Sequence, residues 1–252
     1  MNLALIKKEI KSQALSQKGI WIYLAVTLLM SCLSVAFISV KELSLLAQSE
    51  VLVTFLKLFM AISVLLVIIL GATMFSSEKE QGTLENLLLT PLSKLNIAVA
   101  KVIGILSFWL ILSLLALPYI YALTFGTDLF IKVIALMYFV GLLLVCSFTC
   151  VSIAISAFLS STKNATLLSI MVFLITALPV FLSTATKKFG IAHFLDQTSP
   201  ISTSQLTIKN YLVNKYGLLV VFSNVIPVIF FIVVSILILI YASSKLTLKE
   251  GE

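Results

Sequence analysis

The run Ile131–Leu159, IKVIALMYFVGLLLVCSFTCVSIAISAFL, carries one charge, Lys132, near its start. A stretch this long and this apolar reads as a membrane-crossing helix, because about 20 residues at 1.5 Å each span a roughly 30 Å hydrocarbon core. Five further runs read the same way: Gly19–Val40, Leu56–Phe75, Val102–Phe125, Ala165–Ser183 and Leu218–Ala242. The whole chain of 252 residues is 61% apolar and only 11% charged, whereas soluble domains average about 25% charged. So few charges cannot cover a water-facing surface, which excludes a soluble enzyme and a nucleic-acid binder. The reading is an all-α polytopic membrane protein with six transmembrane helices, forming one transmembrane domain over residues 1–252.

The net charge of +7 is carried entirely by lysine, and the lysines orient the spans. The first apolar run is too long for a signal-peptide core and follows a basic leader, so it is expected to remain as a span. Six crossings put both ends of the chain on one side. Lys7, Lys8, Lys11, Lys18, Lys79, Lys94, Lys101, Lys163, Lys245 and Lys249 fall there. The short connections on the other side carry Lys41, Lys57 and Lys132, and a longer one adds Lys187, Lys188, Lys209 and Lys215. The bias predicts cytoplasmic N- and C-termini.

Outside the bilayer, the leader 1–18 places Leu3, Ile6, Ile10 and Ala14 on one helical stripe, with Lys7, Lys8 and Lys11 mostly off it. This pattern suits an amphipathic helix in the membrane interface, touching anionic lipid headgroups, and equally a basic topogenic leader. The external loop 184–217 is too long for a turn. Its Ser199-Pro200 start and the apolar residues Ile201, Leu206, Ile208, Leu212 and Val213 predict short helices on the outer surface.

Chemistry-bearing constellations are sparse. The single histidine, His193, lies in that external loop within reach of Asp196, without the further groups a catalytic site needs. Cys146 and Cys150 read as small buried residues. Neither metal-ligand spacing nor a phosphate-cradling glycine loop occurs, so no catalytic site, metal or cofactor is expected in this chain. No span holds Asp, Glu or His in its central part. Carriers driven by protons or sodium usually need such a group or a broken helix near the midplane. Pro118, Pro179 and Pro227 leave the second route open. The balance favours energy supplied by another chain.

The segment 76–101 between spans two and three carries the functional signal. It reads Ser77-Glu78-Lys79-Glu80-Gln81-Gly82-Thr83-Leu84-Glu85-Asn86-Leu87-Leu88-Leu89-Thr90-Pro91-Leu92-Ser93. Ser77 and Glu80 have capping-box spacing, although a cytoplasmic continuation of span two fits equally. Gly82 interrupts, Thr83 can cap a short helix whose Leu84, Leu87 and Leu88 share a face, Pro91 stops it, and Ser93 can cap the next. A leucine ridge of this kind is expected to bury itself in lipid or in a partner's groove.

This loop, Glu80-x-Gly82-Thr83-Leu84-Glu85-x-Leu87-Leu88-x-x-Pro91-Leu92-Ser93 followed by Lys101, resembles the signature loop of type-2 ABC exporter permeases. The six spans, basic leader and external loop before the last span are similar to that family too. The resemblance implies a bacterial cytoplasmic-membrane permease that moves an amphipathic substrate outward by alternating access, a peptide being favoured over a drug or lipid. It implies two copies of a separate ABC ATPase subunit, which bind ATP and magnesium, and a second permease subunit, identical or a sister. The loop would be a coupling helix, with Glu80, Gly82, Thr83, Leu84, Glu85, Leu87, Leu88 and Pro91 meeting the ATPase. Two other readings compete. One is a permease similar to the haem-exporter B subunit of cytochrome c maturation, against which the length of the external loop argues. The other is a non-transporting anchor that recruits a cytosolic protein. Within the bilayer, Thr27, Ser31 and Ser34 on span one, and Thr149, Ser152 and Ser156 on span four, form small-hydroxyl stripes suited to close packing, a dimer seam or a pathway wall.

Overall fold

The computed structural model describes residues 3–41, 47–89, 92–182 and 190–246. Pro91, Lys187, Lys188 and Lys249, and the side chain of Leu88, lie outside the described residues. The elements are helices α1 (Leu3–Gln13), α2 (Gln17–Lys41), α3 (Ala47–Thr73), α4 (Ser76–Glu80), α5 (Leu84–Leu88) and α6 (Lys94–Thr124). They continue with α7 (Phe130–Phe158), α8 (Thr162–Phe181), α9 (Gly190–Thr198), α10 (Pro200–Leu212) and α11 (Leu218–Ser244). Six of them are long and apolar enough to cross a membrane: α2, α3 with its extension α4, α6, α7, α8 and α11. These are the six runs read from the sequence.

Burial sorts the spans into a centre and a rim. The most apolar windows of α3, α6 and α7 are 56%, 56% and 61% buried, against 22%, 22% and 28% for α2, α8 and α11. Lipid is as apolar as leucine, so membrane helices associate through close packing rather than through water exclusion. The centre has such contacts. A Cβ added at Gly71 on α3 would lie 2.0 Å from the Oγ of Ser152 on α7, and one at Gly141 on α7 would lie 3.0 Å from the Trp109 ring on α6. Thr149, Ser152 and Ser156 are fully buried within this one chain. Their stripe therefore serves the α3–α7 seam rather than an open face. Ser34 is buried too, while Thr27 and Ser31 are half-buried.

Several boundaries differ from the sequence reading. Helix α3 begins at Ala47, well before Leu56, because Val51, Leu52, Val53 and Phe55 are buried and carry the helix past the polar Gln48–Glu50. Lys57 thus belongs to a helix, not a connection. Pro118, Pro179 and Pro227 sit inside α6, α8 and α11 without splitting them. Helix α10 does not lie on a surface. It packs on α3, α7, α8 and α11, and its Ser202, Thr203, Ser204 and Thr207 are buried. The hydroxyls of the last three bond back to α10's own carbonyls or to Ser199 at 2.7–2.8 Å, which lets polar side chains enter an apolar setting. Ser199 caps α10 by accepting from Ser202 N, and its own hydroxyl donates to Thr176 O on α8 at 2.6 Å.

Candidate functional site

At the end of the bundle where α1, α4, α5 and the α7–α8 corner meet, span two breaks and resumes. Helix α3 stops at Thr73 and α4 starts at Ser76. The break frees backbone donors, and two of them, Phe75 N–H and Ser76 N–H, donate to the Ser156 hydroxyl oxygen at 2.9 and 2.8 Å. Ser76 and Ser77 turn their hydroxyls back to Ala72 O and Thr73 O. The capping box offered by Ser77 and Glu80 is therefore not formed, and α4 is the prolonged end of span two.

Helix α4 ends in a Schellman turn. Thr83 N–H donates to Glu78 O at 2.9 Å and Gly82 N–H to Lys79 O at 3.2 Å, closing the two bonds that define this stop. The turn needs a left-handed residue, and Gly82 has φ +67°. A Cβ there would meet nothing within 4 Å, so the requirement is purely one of backbone conformation. Thr83 stands at the N-cap position of α5 but makes no capping bond; its hydroxyl reaches Glu78 O at 3.4 Å. Ser93 does cap α6, accepting from Asn96 N–H at 3.3 Å.

The leucine ridge of α5 points differently from the expectation. Leu84 is buried and Leu87 packs half-buried against the chain's own core. What α5 presents outward is Glu85 and Asn86, with Leu89 just beyond at 74% exposure. Leu84 and Leu87 anchor the short helix to its own bundle, and its outward side chains among the described residues are polar.

Close to this short helix lies a charge cluster not visible in the sequence. Lys101 on α6 is 2% exposed and donates to Glu78 Oε1 at 2.6 Å. Its ammonium also faces Glu9 Oε1 on α1 at 3.5 Å and sits 5.1 Å from the centre of the Phe75 ring. Glu9 is buried, while Lys7, Lys8 and Lys11 are exposed as the stripe predicts. Leu3, placed on the apolar stripe, is instead exposed, and the docked side of α1 carries Leu5, Ile10, Ala14 and Glu9. Helix α1 therefore packs on α6, its backbone at Glu9 coming within 3.3 Å of where a Cβ on Gly104 would stand. Glu9 and Lys101 are 92 positions apart and Glu78 and Lys101 are 23 apart. No local periodicity links them.

The remaining charges of α4 face the next corner. Lys79 Nζ donates to Ala157 O. Glu80 accepts from Thr162 N–H at 2.7 Å and from the Thr162 hydroxyl at 2.8 Å. On the far side, His193, Asp196, Gln197, Thr203, Ser223 and Asn224 line a polar cavity of about 450 Å³ among α9, α10 and α11. There Gln197 and His193 approach at 3.1 Å and Ser202 donates to Asp196. Among the described residues no group of three or more His, Cys, Asp or Glu could hold a metal ion. At this end of the bundle the Lys101 ammonium of α6 ties together α4, through Glu78, and α1, through Glu9.

Residues 3–246 match the family described as ABC-2 family transporter protein. No individual curated protein matches the chain. A family match over nearly the whole length, on six helices able to cross a membrane, shows that this chain belongs to the ABC-2 transporter family, as a multi-pass membrane permease of the kind that associates with an ABC ATPase.

Proposed function

We propose that this chain is the permease of an ABC exporter, working as a pair of permeases on two ATPase subunits with both termini in the cytoplasm. The stretch Gln81–Leu89 is the lever by which nucleotide-driven closure of the ATPase reaches the spans. The observation that carries this reading is the build of α5, a single short helix set between the Gly82 turn and the Ser93 cap. Its inner side is anchored by Leu84 and its outer side offers Glu85 and Asn86 to solvent. The Gly82 turn and an anchored inner face let a push on the outer face move α4 and α3 rather than bend a loop. Glu80, Gly82, Thr83 and Glu85 are the positions assigned to coupling. ATP and magnesium belong to the partner.

The cargo proposed is amphipathic, a peptide in preference to a drug or lipid, because spans without central acidic groups offer little to a sugar or an ion. The test is ATP-driven uptake of a fluorescent amphipathic peptide into inside-out proteoliposomes that hold the permease and its ATPase. Uptake is expected with ATP and falls about tenfold or more in Glu85→Lys, which reverses the charge that the outer face of α5 offers for docking. Peptide accumulation by the permease alone under a proton or sodium gradient sinks the proposal.

A further inference from the structure

Three consecutive charges leave α4 in different directions. Glu78 goes to Lys101 on α6, Lys79 to the Ala157 carbonyl in the last turn of α7, and Glu80 to the first residue of α8. Ser156 adds a fourth tie from the same corner, accepting the two N–H groups freed at the α3–α4 break. The Lys79, Ser156 and Thr162 N–H bonds satisfy backbone groups that a helix end or break leaves without an internal partner. Ser161, at the N-cap position of α8, makes no capping bond. Glu80 supplies that cap from another helix, and a carboxylate at a helix N-terminus is also favoured by the helix dipole.

Beyond its first turn α8 is packed along one side only. That side rests on α3, α7 and α10, with Phe173 against the core and the Thr176 carbonyl accepting from Ser199, while Leu167, Met171, Leu174, Ile175, Leu178 and Phe181 are exposed. Its first turn is the part that α4 reaches by hydrogen bonds. Helix α7, by contrast, is locked to α3 at the Gly71–Ser152 contact.

We propose that Lys79 and Glu80 are positioning residues that carry the lever's displacement across to the α7–α8 corner, so that Thr162 makes α8 a second moving output beside α3 and α6. This rests on the reading of Gln81–Leu89 as a lever driven by the ATPase. Motion of α4 pulls the first turn of α8 through two hydrogen bonds to one carboxylate, and the exposed outer side of α8 leaves it room to follow.

Thr162→Pro isolates this link. Proline is well tolerated at the first position of a helix, and Ser161 already has the extended conformation a following proline demands, φ −104° and ψ 128°. Made together with Ser161→Ala, because the Ser161 hydroxyl also reaches Glu80, the substitution removes the hydrogen-bond donors to Glu80 and leaves α8 intact, whereas Thr162→Ser keeps them. The experiment uses the full permease with its ATPase in lipid nanodiscs, with Cys32→Ala, Cys146→Ala and Cys150→Ala as background. An environment-sensitive fluorophore is placed at Leu167→Cys on α8 or at Leu110→Cys on α6, and the spectral response to ATP with vanadate is read. The parent is expected to respond at both positions. The double variant lowers the α8 response at least about fivefold, the lower end of ordinary coupling between sites, and leaves the α6 response and the melting temperature unchanged; Thr162→Ser retains both responses. An undiminished α8 response in the double variant overturns the proposal, as does a parallel fall at both positions, which assigns the contact to general stability. A parent that binds its ATPase but responds at neither position, or that fails to bind it, refutes the lever reading itself and takes this inference down with it.

Discussion

Replacing Lys101 by methionine leaves two carboxylates facing each other across the space the ammonium filled. Glu9 keeps 6% of its side-chain exposure and Glu78 keeps 23%. Removing one partner of a buried ion pair destabilises by about 3–5 kcal/mol, since the remaining charge is buried and unpaired. Glu78 is partly solvated, so the lower end applies, about 3 kcal/mol. The cheapest relief is for α1 to leave α6, because that returns Glu9 to water while the spans stay packed. An energy of that size shifts the docked-to-undocked ratio of α1 about 150-fold. Limited trypsin digestion reads this directly, since Lys7, Lys8 and Lys11 lie on the exposed side of α1 but cleavage requires the helix to open. Cleavage there should accelerate by a comparable factor when opening precedes it. Adding Glu9→Gln and Glu78→Gln should restore resistance, because a neutral set of similar volume avoids the unpaired charges. Unchanged cleavage in Lys101→Met, or a triple variant more labile than the single one, would refute the claim that the cluster holds α1 in place.

Other positions give sharper local tests. Gly82→Ala should cost about 1 kcal/mol, from backbone strain alone, since no neighbour lies within 4 Å; Gly82→Asn should cost less, and thermal unfolding in detergent ranks the two. Gly71→Ala forces a methyl to within 2.0 Å of Ser152 Oγ and should destabilise by about 1–3 kcal/mol, with Ser152→Gly as a second-site rescue in the same melting assay. Ser156→Ala strands two buried N–H groups at the α3–α4 break and should cost about 1–3 kcal/mol, while Ser156→Ala in a Phe75→Ala background should add little, because the break is then already loosened; a fully additive pair contradicts this.

The six spans were legible because each is a long apolar run, and length against bilayer thickness needs no tertiary information. The Gly82 stop and the Ser93 cap were legible for a related reason, since each is a local backbone demand met by the one residue type suited to it. What escaped was set by contacts between distant segments. Glu9 reads as one more polar residue on a basic leader, and only the approach of α6 makes it a buried ion-pair partner. Leu84 and Leu87 were read correctly as a face, but a face has no direction until its neighbours are known, and the neighbour is the chain's own core. The spaced apolar residues of α10, Ile201, Leu206, Ile208 and Leu212, read as one face of a surface helix, because the serines and threonines between them count as polar. Their hydroxyls bond within the helix, which hides their polarity from a composition-based reading.

The inward turn of Leu84 bears on how the transporter is put together. With that side chain housed at home, the described side chains that α5 turns outward are an acid and an amide, Glu85 and Asn86, with Leu89 exposed just beyond. If the proposed ATPase docks there, it meets a short helix already folded against its own bundle, so that little ordering is left to be done at the moment of contact.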